Sequence, residues 1–188
     1  MTFPDSYTCL DRQVFSKNEY YLIPIRFQDR YKIMKWRNEQ IYHLRQNKPL
    51  EEKDQDQYFQ NIVARLFDQE QPNQILFSFL EGDKCIGYGG LVHINWVDKN
   101  AEISFIMDTS LEASYFENYW HIFLKLIEEV AFEELTLHKI FTYALDLRPK
   151  LYPVLKNSGY VLEAVLKNHC LYNLRYVDVI IHSKFRID

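Results

Sequence analysis

No glycine occurs between Leu91 and Ser158, and of the 5 glycines in the chain only Gly159 lies beyond Gly90. Glycine reaches left-handed backbone conformations without steric cost and lets a ligand approach the main chain closely. Everything between Leu91 and Ser158 must make its turns, helix starts and ligand contacts with residues that carry a Cβ. Two long elements fall inside that stretch. Residues 101–108 (AEISFIMD) read as a strand. Residues 115–135 read as a helix, with Phe116, Trp120, Phe123, Ile127, Val130 and Ala131 on one apolar stripe. The turn between them, residues 109–114 (TSLEAS), has no glycine.

The remaining segments follow from local patterning. Residues 7–15 suggest an early strand and 16–19 its turn, so that 1–19 form an N-terminal extension with an extra strand. Residues 20–26 read as a strand in which Pro24 removes a ladder donor, which points to an edge or a bulge. A short helix is expected over 30–36 and a second over 57–67, the latter with Tyr58, Ile62, Leu66 and either Phe59 or Val63 inward. Residues 74–80, a turn at 81–83 and residues 84–94 carry a hairpin signature. The cluster Gly87, Gly89 and Gly90 inside its second strand marks a bulge or a close backbone approach. A strand over 139–144, a short helix over 150–157 capped by Gly159, and an antiparallel pair over 160–166 and 176–182 complete the order.

Composition narrows the function classes. The 188 residues suit one domain with a substantial core, in which 14 Tyr and 13 Phe favour ring packing. Net charge is −4 without a basic patch, which argues against a nucleic-acid partner. Three scattered cysteines suit neither a disulfide framework nor a zinc site, so no metal is expected. The N-terminus lacks the basic and apolar regions of a secretory signal, and no apolar run approaches the ~20 residues of a membrane span. A cytoplasmic protein is the expectation, and an exposed edge strand near the C-terminus would let two subunits pair as a homodimer.

The element order is shared by several α/β folds, and the residues select among them. Trp36-Arg-Asn38, Cys85-Ile-Gly-Tyr88, Ala101-Glu-Ile103, the segment VAFEELTLHK at 130–139, NSGYVLE at 157–163 and RYVDV at 175–179 occur in one collinear order. Together they resemble the GNAT acetyltransferase superfamily and, within it, the RimL-like branch of ribosomal-protein and nucleotide-sugar N-acetyltransferases. That resemblance implies an α/β (α+β) fold with a central, mixed, mostly antiparallel twisted sheet flanked by helices. It implies acetyl-CoA as co-substrate and a small-molecule primary amine as acceptor, a nucleotide-linked amino sugar being preferred. The alternative is a GNAT-shaped binding module of little or no activity.

The sequence departs from the family in two places. The glycine-rich turn that grips the CoA pyrophosphate falls on Tyr115 to Trp120, which contain neither its arginine nor its glycines. The family's acid, a tyrosine, falls on Leu155, and Arg148 stands where an asparagine is usual. Phosphate binds at helix starts through unpaired amides and a positive dipole. Two registers are open. If Ser114 is the N-cap, Ser114 and Glu117 form a capping box that satisfies the helix start itself. If Thr109 or Ser110 is the cap, the amides from Leu111 to Ala113 stay available for phosphate.

Acetylation needs a neutral amine and hence a base. Glu102, on the strand face it shares with Ser104 and Ile106, is the first candidate and His93 the second; each also suits a structural role. Tyr152 is the substitute for the absent acid. The main chain of Phe105, Ile106 and Met107 is the implied partner of the pantetheine amides. Arg148, Lys150 and Lys156 form a basic cluster able to meet phosphate, and Arg37, Asn38 and Tyr88 shape the acceptor pocket.

Overall fold

The glycine-free stretch builds the middle of an open sheet of 8 strands, ordered β1-β2-β3-β4-β5-β6-β8-β7. The structure is a computed structural model that describes residues 2–187. Strand β1 (Phe15–Lys17) pairs with β2 (Tyr20–Pro24), and β3 (Gln74–Glu81), β4 (Lys84–Asn95) and β5 (Asn100–Met107) follow as a meander. Strand β6 (Lys139–Leu145) runs parallel to β5, and β8 (Arg175–Phe185) separates it from the edge strand β7 (Val161–Tyr172). All pairings but β5–β6 are antiparallel, which is the mixed sheet expected from the sequence.

The parallel pair matters most for function. It holds only from Asn100 to Glu102 against Lys139 to Phe141. Beyond that point β5 continues to Met107 and β6 to Leu145 without pairing to each other, so the sheet opens into a wedge.

Helix α1 (Arg30–Glu39) buries Ile33 and Trp36, and α2 (Glu52–Tyr58) continues through a wider turn, Phe59–Val63, into α3 (Ala64–Leu66). Helix α4 (Glu112–Glu128) covers the opposite sheet face with the predicted stripe, and α5 (Leu151–Asn157) packs beside it. The Phe123 ring of α4 stacks on Phe105 of β5 with centroids 4.0 Å apart. Gly89 of β4 makes this packing feasible, because a Cβ there would lie 2.2 Å from the Ser104 carbonyl oxygen and 2.8 Å from the Phe123 ring. The Gly87–Gly90 cluster thus serves close strand and helix packing.

Several sequence expectations need correction. Residues 7–14 form turns, not a strand. Tyr7 stacks on Phe67 at 4.0 Å, its hydroxyl bonds the Leu76 main chain, and the Gln13 amide closes the loop onto the carbonyls of Tyr7 and Leu10. Helix α1 extends past Trp36, so Arg37 and Asn38 lie inside it. Helix α2 begins at Glu52, ahead of the expected position, because Gln55 donates to the Arg30 carbonyl and Asp56 pairs with Arg30. The wide turn after it brings Phe59 and Val63 inward and leaves Tyr58 and Ile62 exposed.

The expected edge position of Pro24 is observed: β1 reaches only Leu22 of β2, so no partner faces the missing donor. Gly159, at φ +84, ends α5, with the Tyr160 amide returning to the Leu155 carbonyl. The final hairpin is longer than expected and turns at Asn173 and Leu174, both left-handed. Left-handed backbone also occurs in the glycine-free stretch, at His93, Lys99 and Thr136. The three cysteines are free, and no helix among the described residues is long and apolar enough to cross a membrane.

Candidate active site

The wedge between β5 and β6 is a cavity of about 470 Å³. Its walls include residues 102–106 of β5, Thr142 to Leu145 of β6, Trp120 of α4, Arg37 of α1 and the loop residues His43, Leu44 and Arg45. The cavity therefore reaches from the α4 face of the sheet to the α1 face. A second hollow of about 290 Å³, lined by Tyr88, Asp54, Gln55 and Tyr58 among others, adjoins it and shares Arg37, Gln74, Val92 and Ser104.

At the point where the strands part stands Glu102, 7% exposed. Its Oε1 is bound by the Arg45 guanidinium and its Oε2 by His93 Nδ1 at 2.9 Å. The desolvation of a buried carboxylate is thereby offset by two partners. His93 occupies the irregularity in β4 where the register with β5 slips between Val92 and Asn95, at φ 50. The bulge turns its ring outward, so that the side chain is 63% exposed while still lining the cavity. With Nδ1 committed to Glu102, Nε2 is the nitrogen left for chemistry. Both carboxylate oxygens of Glu102 are engaged, one by Arg45 and one by His93.

Arg45 lies 4.7 Å over the Tyr143 ring. The Tyr143 hydroxyl is 3.6 Å from Cys170 Sγ, and burial, helped by that thiol, pushes the phenol up to about 12. Neither Arg45 nor Tyr143 was among the residues expected from sequence. Tyr143 could have been found from strand alternation along β6; Arg45 lies in a loop with no pattern.

Beyond the cavity wall, the start of α4 is polar. Asp108 Oδ1 accepts from the Ser110 amide at 3.0 Å and the Ser110 hydroxyl at 2.8 Å. This starts a 3₁₀ turn, Thr109–Leu111, that runs into α4 at Glu112. Of the two registers open in the sequence, the one with Ser114 as cap does not form, because Ser114 and Glu117 lie within the helix; the helix start is at the earlier position, with Asp108 rather than Thr109 or Ser110 as the capping side chain. The Leu111 amide is used by the Asp108 carbonyl, and Ala113 is exposed outside the cavity wall. Arg148 Nη2 meets Glu112 Oε1 at 2.5 Å and Nη1 meets His43 Nε2 at 3.0 Å. Burial, followed by the Arg148 charge, pulls the His43 imidazole down to about 3, so it stays neutral and accepts that bond.

The other expected residues are dispersed. Tyr152 stands outside the cavity and donates its hydroxyl to Asp146 at 2.7 Å, in a depression it shares with Lys156. Lys156 is thus separated from Arg148 and Lys150. Asn38 lines neither hollow and holds the main chain of Leu50, which lines the second, by 2.7 and 2.9 Å bonds. Met107 does not line the cavity, and its carbonyl accepts from the buried Gln40 amide at 2.8 Å. Phe105, Ile106, Arg37 and Tyr88 do line the two hollows, and Arg37 Nη1 donates to the Tyr88 hydroxyl at 2.7 Å. Among the described residues no group of His, Cys, Asp or Glu is placed to hold a metal ion.

Residues 23–181 match the family model of the acetyltransferase (GNAT) domain. The chain belongs to the GNAT acetyltransferase family. Membership places it among N-acetyltransferases that use acetyl-CoA. This acetyltransferase is similar in fold to the spermidine N-acetyltransferase of Vibrio cholerae, solved with CoA and spermine, at 19% identity and TM-score 0.78 over 90% of this chain and 97% of that one. Mutant forms of the spermidine/spermine N-acetyltransferase SpeG from the same organism match at 21% identity and TM-score 0.75, over 90% and 95% of the two chains.

Proposed function

We propose that this acetyltransferase moves an acetyl group from acetyl-CoA to the primary amine of a small acceptor that also carries an anionic group. The observation that carries the transfer reaction is the His93–Glu102 pair at the point where β5 and β6 part. Acetyl-CoA supplies an activated thioester. His93 takes the proton from the acceptor ammonium at Nε2, and Glu102 holds the ring so that Nε2 faces the cavity. The freed amine nitrogen bonds to the acyl carbon and gives its second proton to solvent as the amide forms, while the carbon–sulfur bond breaks and the thiolate leaves.

Tyr143 keeps its proton at neutral pH, because burial pushes its phenol up to about 12. It stabilises the departing thiolate, whose conjugate acid lies near ~8.5, by hydrogen bonding rather than by giving up its proton. The proton that ends on CoA sulfur comes from solvent.

The acceptor class rests on charge. Arg37 stands where the cavity meets the adjoining hollow, bonded to Gln46 and Tyr88 and to no carboxylate among the described residues. Glu102 is the one carboxylate among the cavity's lining residues and is already bound by Arg45, and Asp54 is the one lining the hollow. An acceptor bearing phosphate or carboxylate gains from Arg37, which binds such groups through a planar fork. A nucleotide-linked amino sugar, one of the acceptor types of the RimL-like branch that the sequence resembles, has both the amine and the anion. A polyamine such as spermidine would set further positive charge beside Arg37.

Initial-rate kinetics with a nucleotide amino sugar and with spermidine test this. The amino sugar is expected to be the better acceptor, and Arg37→Gln to raise its KM by about tenfold or more. Faster turnover of spermidine, made faster still by Arg37→Gln, would overturn the anionic-acceptor reading.

A further inference from the structure

Arg148 and His43 of the cavity wall join Glu112 and Lys150, which lie outside the lining at the start of α4, in a charge cluster that the acyl transfer does not use. Arg148 is 6% exposed, and its Nε is buried without a partner. Its other two nitrogens are held by Glu112 and His43. Lys150 Nζ reaches the second Glu112 oxygen at 3.5 Å. Both cations lie over the Phe116 ring, at 5.0 Å and 4.0 Å.

These contacts describe an anion site occupied from within. Glu112 opens a 17-residue helix whose dipole favours negative charge at that end. One carboxylate answers two cations there, and the cluster keeps a net positive charge. The buried Nε of Arg148 is a donor still lacking an acceptor. A ligand with two negative charges and several acceptor oxygens would satisfy this cluster more fully than Glu112 does.

We propose that Glu112 is an internal stand-in for the diphosphate of the acyl donor: it holds Arg148 in the free protein and yields Arg148 and Lys150 to the diphosphate when the donor binds. The inference rests on the acetyl-CoA reading above. It gives a physical reason for the glycine-free helix start. Side-chain cations take the diphosphate, so the main chain need not approach it closely. It also makes donor affinity a competition between two anions for one guanidinium, with neutral His43 keeping that guanidinium in place.

Isothermal titration of the full chain with CoA, and with pantetheine, which lacks the diphosphate, tests the exchange. Glu112→Gln removes the internal competitor and is expected to tighten CoA binding by about tenfold, while Arg148→Gln weakens it by about tenfold or more. Pantetheine binding should be the same in all three proteins. If Glu112→Gln does not fold, Glu112→Ser carries the same expectation. CoA affinity unchanged or weakened by loss of the Glu112 charge would sink the exchange while leaving the acetyl-CoA reading intact. Pantetheine binding that tightened as much as CoA binding would also sink it. Absence of CoA binding in wild type and variants alike would sink both.

Discussion

His93 Nδ1 lies 2.9 Å from Glu102 Oε2, and the pair stands at the last point of contact between β5 and β6. The bulge in β4 and the buried end of the β5–β6 pairing are set by different parts of the chain, and they meet at this one hydrogen bond. Glu102→Gln should therefore act on catalysis through His93. We expect kcat to fall by about 10–100-fold with the KM for acetyl-CoA within about twofold. His93→Gln should lower kcat at least as much, and the double variant should be no worse than His93→Gln alone. A KM for acetyl-CoA that rises in step with the loss of kcat would mean that Glu102 shapes the donor site instead.

Tyr143→Phe removes the hydroxyl while keeping the ring that Arg45 covers. A hydrogen bond to a developing thiolate is worth about 1.5–3 kcal/mol, so kcat should drop by about 10–100-fold. Thiol esters with more acidic leaving groups should be less affected. Equal losses across such a series would exclude the leaving-group role.

Acid sensitivity follows from His43, whose imidazole is held down at about 3 by burial and by Arg148. Between the ordinary value of about 6.5 and about 3 the unfolded chain binds a proton that the folded chain refuses. Stability is therefore complete above pH ~6.5 and declines as the pH falls toward 3. Melting temperatures from pH 7 to 5 should fall less steeply in His43→Gln than in wild type. His182, also lowered by burial, keeps part of the slope in the variant.

Gly89→Ala should be among the most damaging single changes outside the site, since its Cβ would meet the Ser104 carbonyl at 2.2 Å. A loss of about 3 kcal/mol, or roughly 6–12 °C in Tm, is expected from overpacking of this kind. Gly82→Ala is the control. Nothing lies within 4 Å of its Cβ, and only its φ of +55 opposes the change, at a cost of about 1 kcal/mol. Similar Tm values for the two variants would mean that β4 relaxes away from β5.

Sequence patterning showed the β3–β4 hairpin, the β5 strand, the α4 stripe and the Gly159 cap, because each is fixed by short-range periodicity or by one residue's conformational freedom. The start of α4 was misplaced because Asp108, a side chain within the preceding turn, captures Ser110 and begins the helix early. The π-type turn at Phe59–Val63 escaped notice because its inward residues do not follow the 3.6-residue period. In the site, Glu102 and His93 were both legible as candidates, but not their contact. The pairs Arg45–Glu102 and Arg148–Glu112 join residues 57 and 36 positions apart and leave no local trace. Tyr152 was expected near the chemistry by its distance from Leu155 in sequence, yet the cavity wall is built by β6, which presents Tyr143 instead.

The account turns on whether the wedge between β5 and β6 receives an acyl-CoA. Thermal unfolding of the full chain across an acetyl-CoA titration measures this directly. A ligand present at about 100 times its Kd adds about 2.7 kcal/mol of stability, or roughly 5–10 °C in Tm for a chain of this size. We predict a saturable rise of that order with acetyl-CoA at up to millimolar concentration. A Tm that stays flat through millimolar acetyl-CoA would contradict the account.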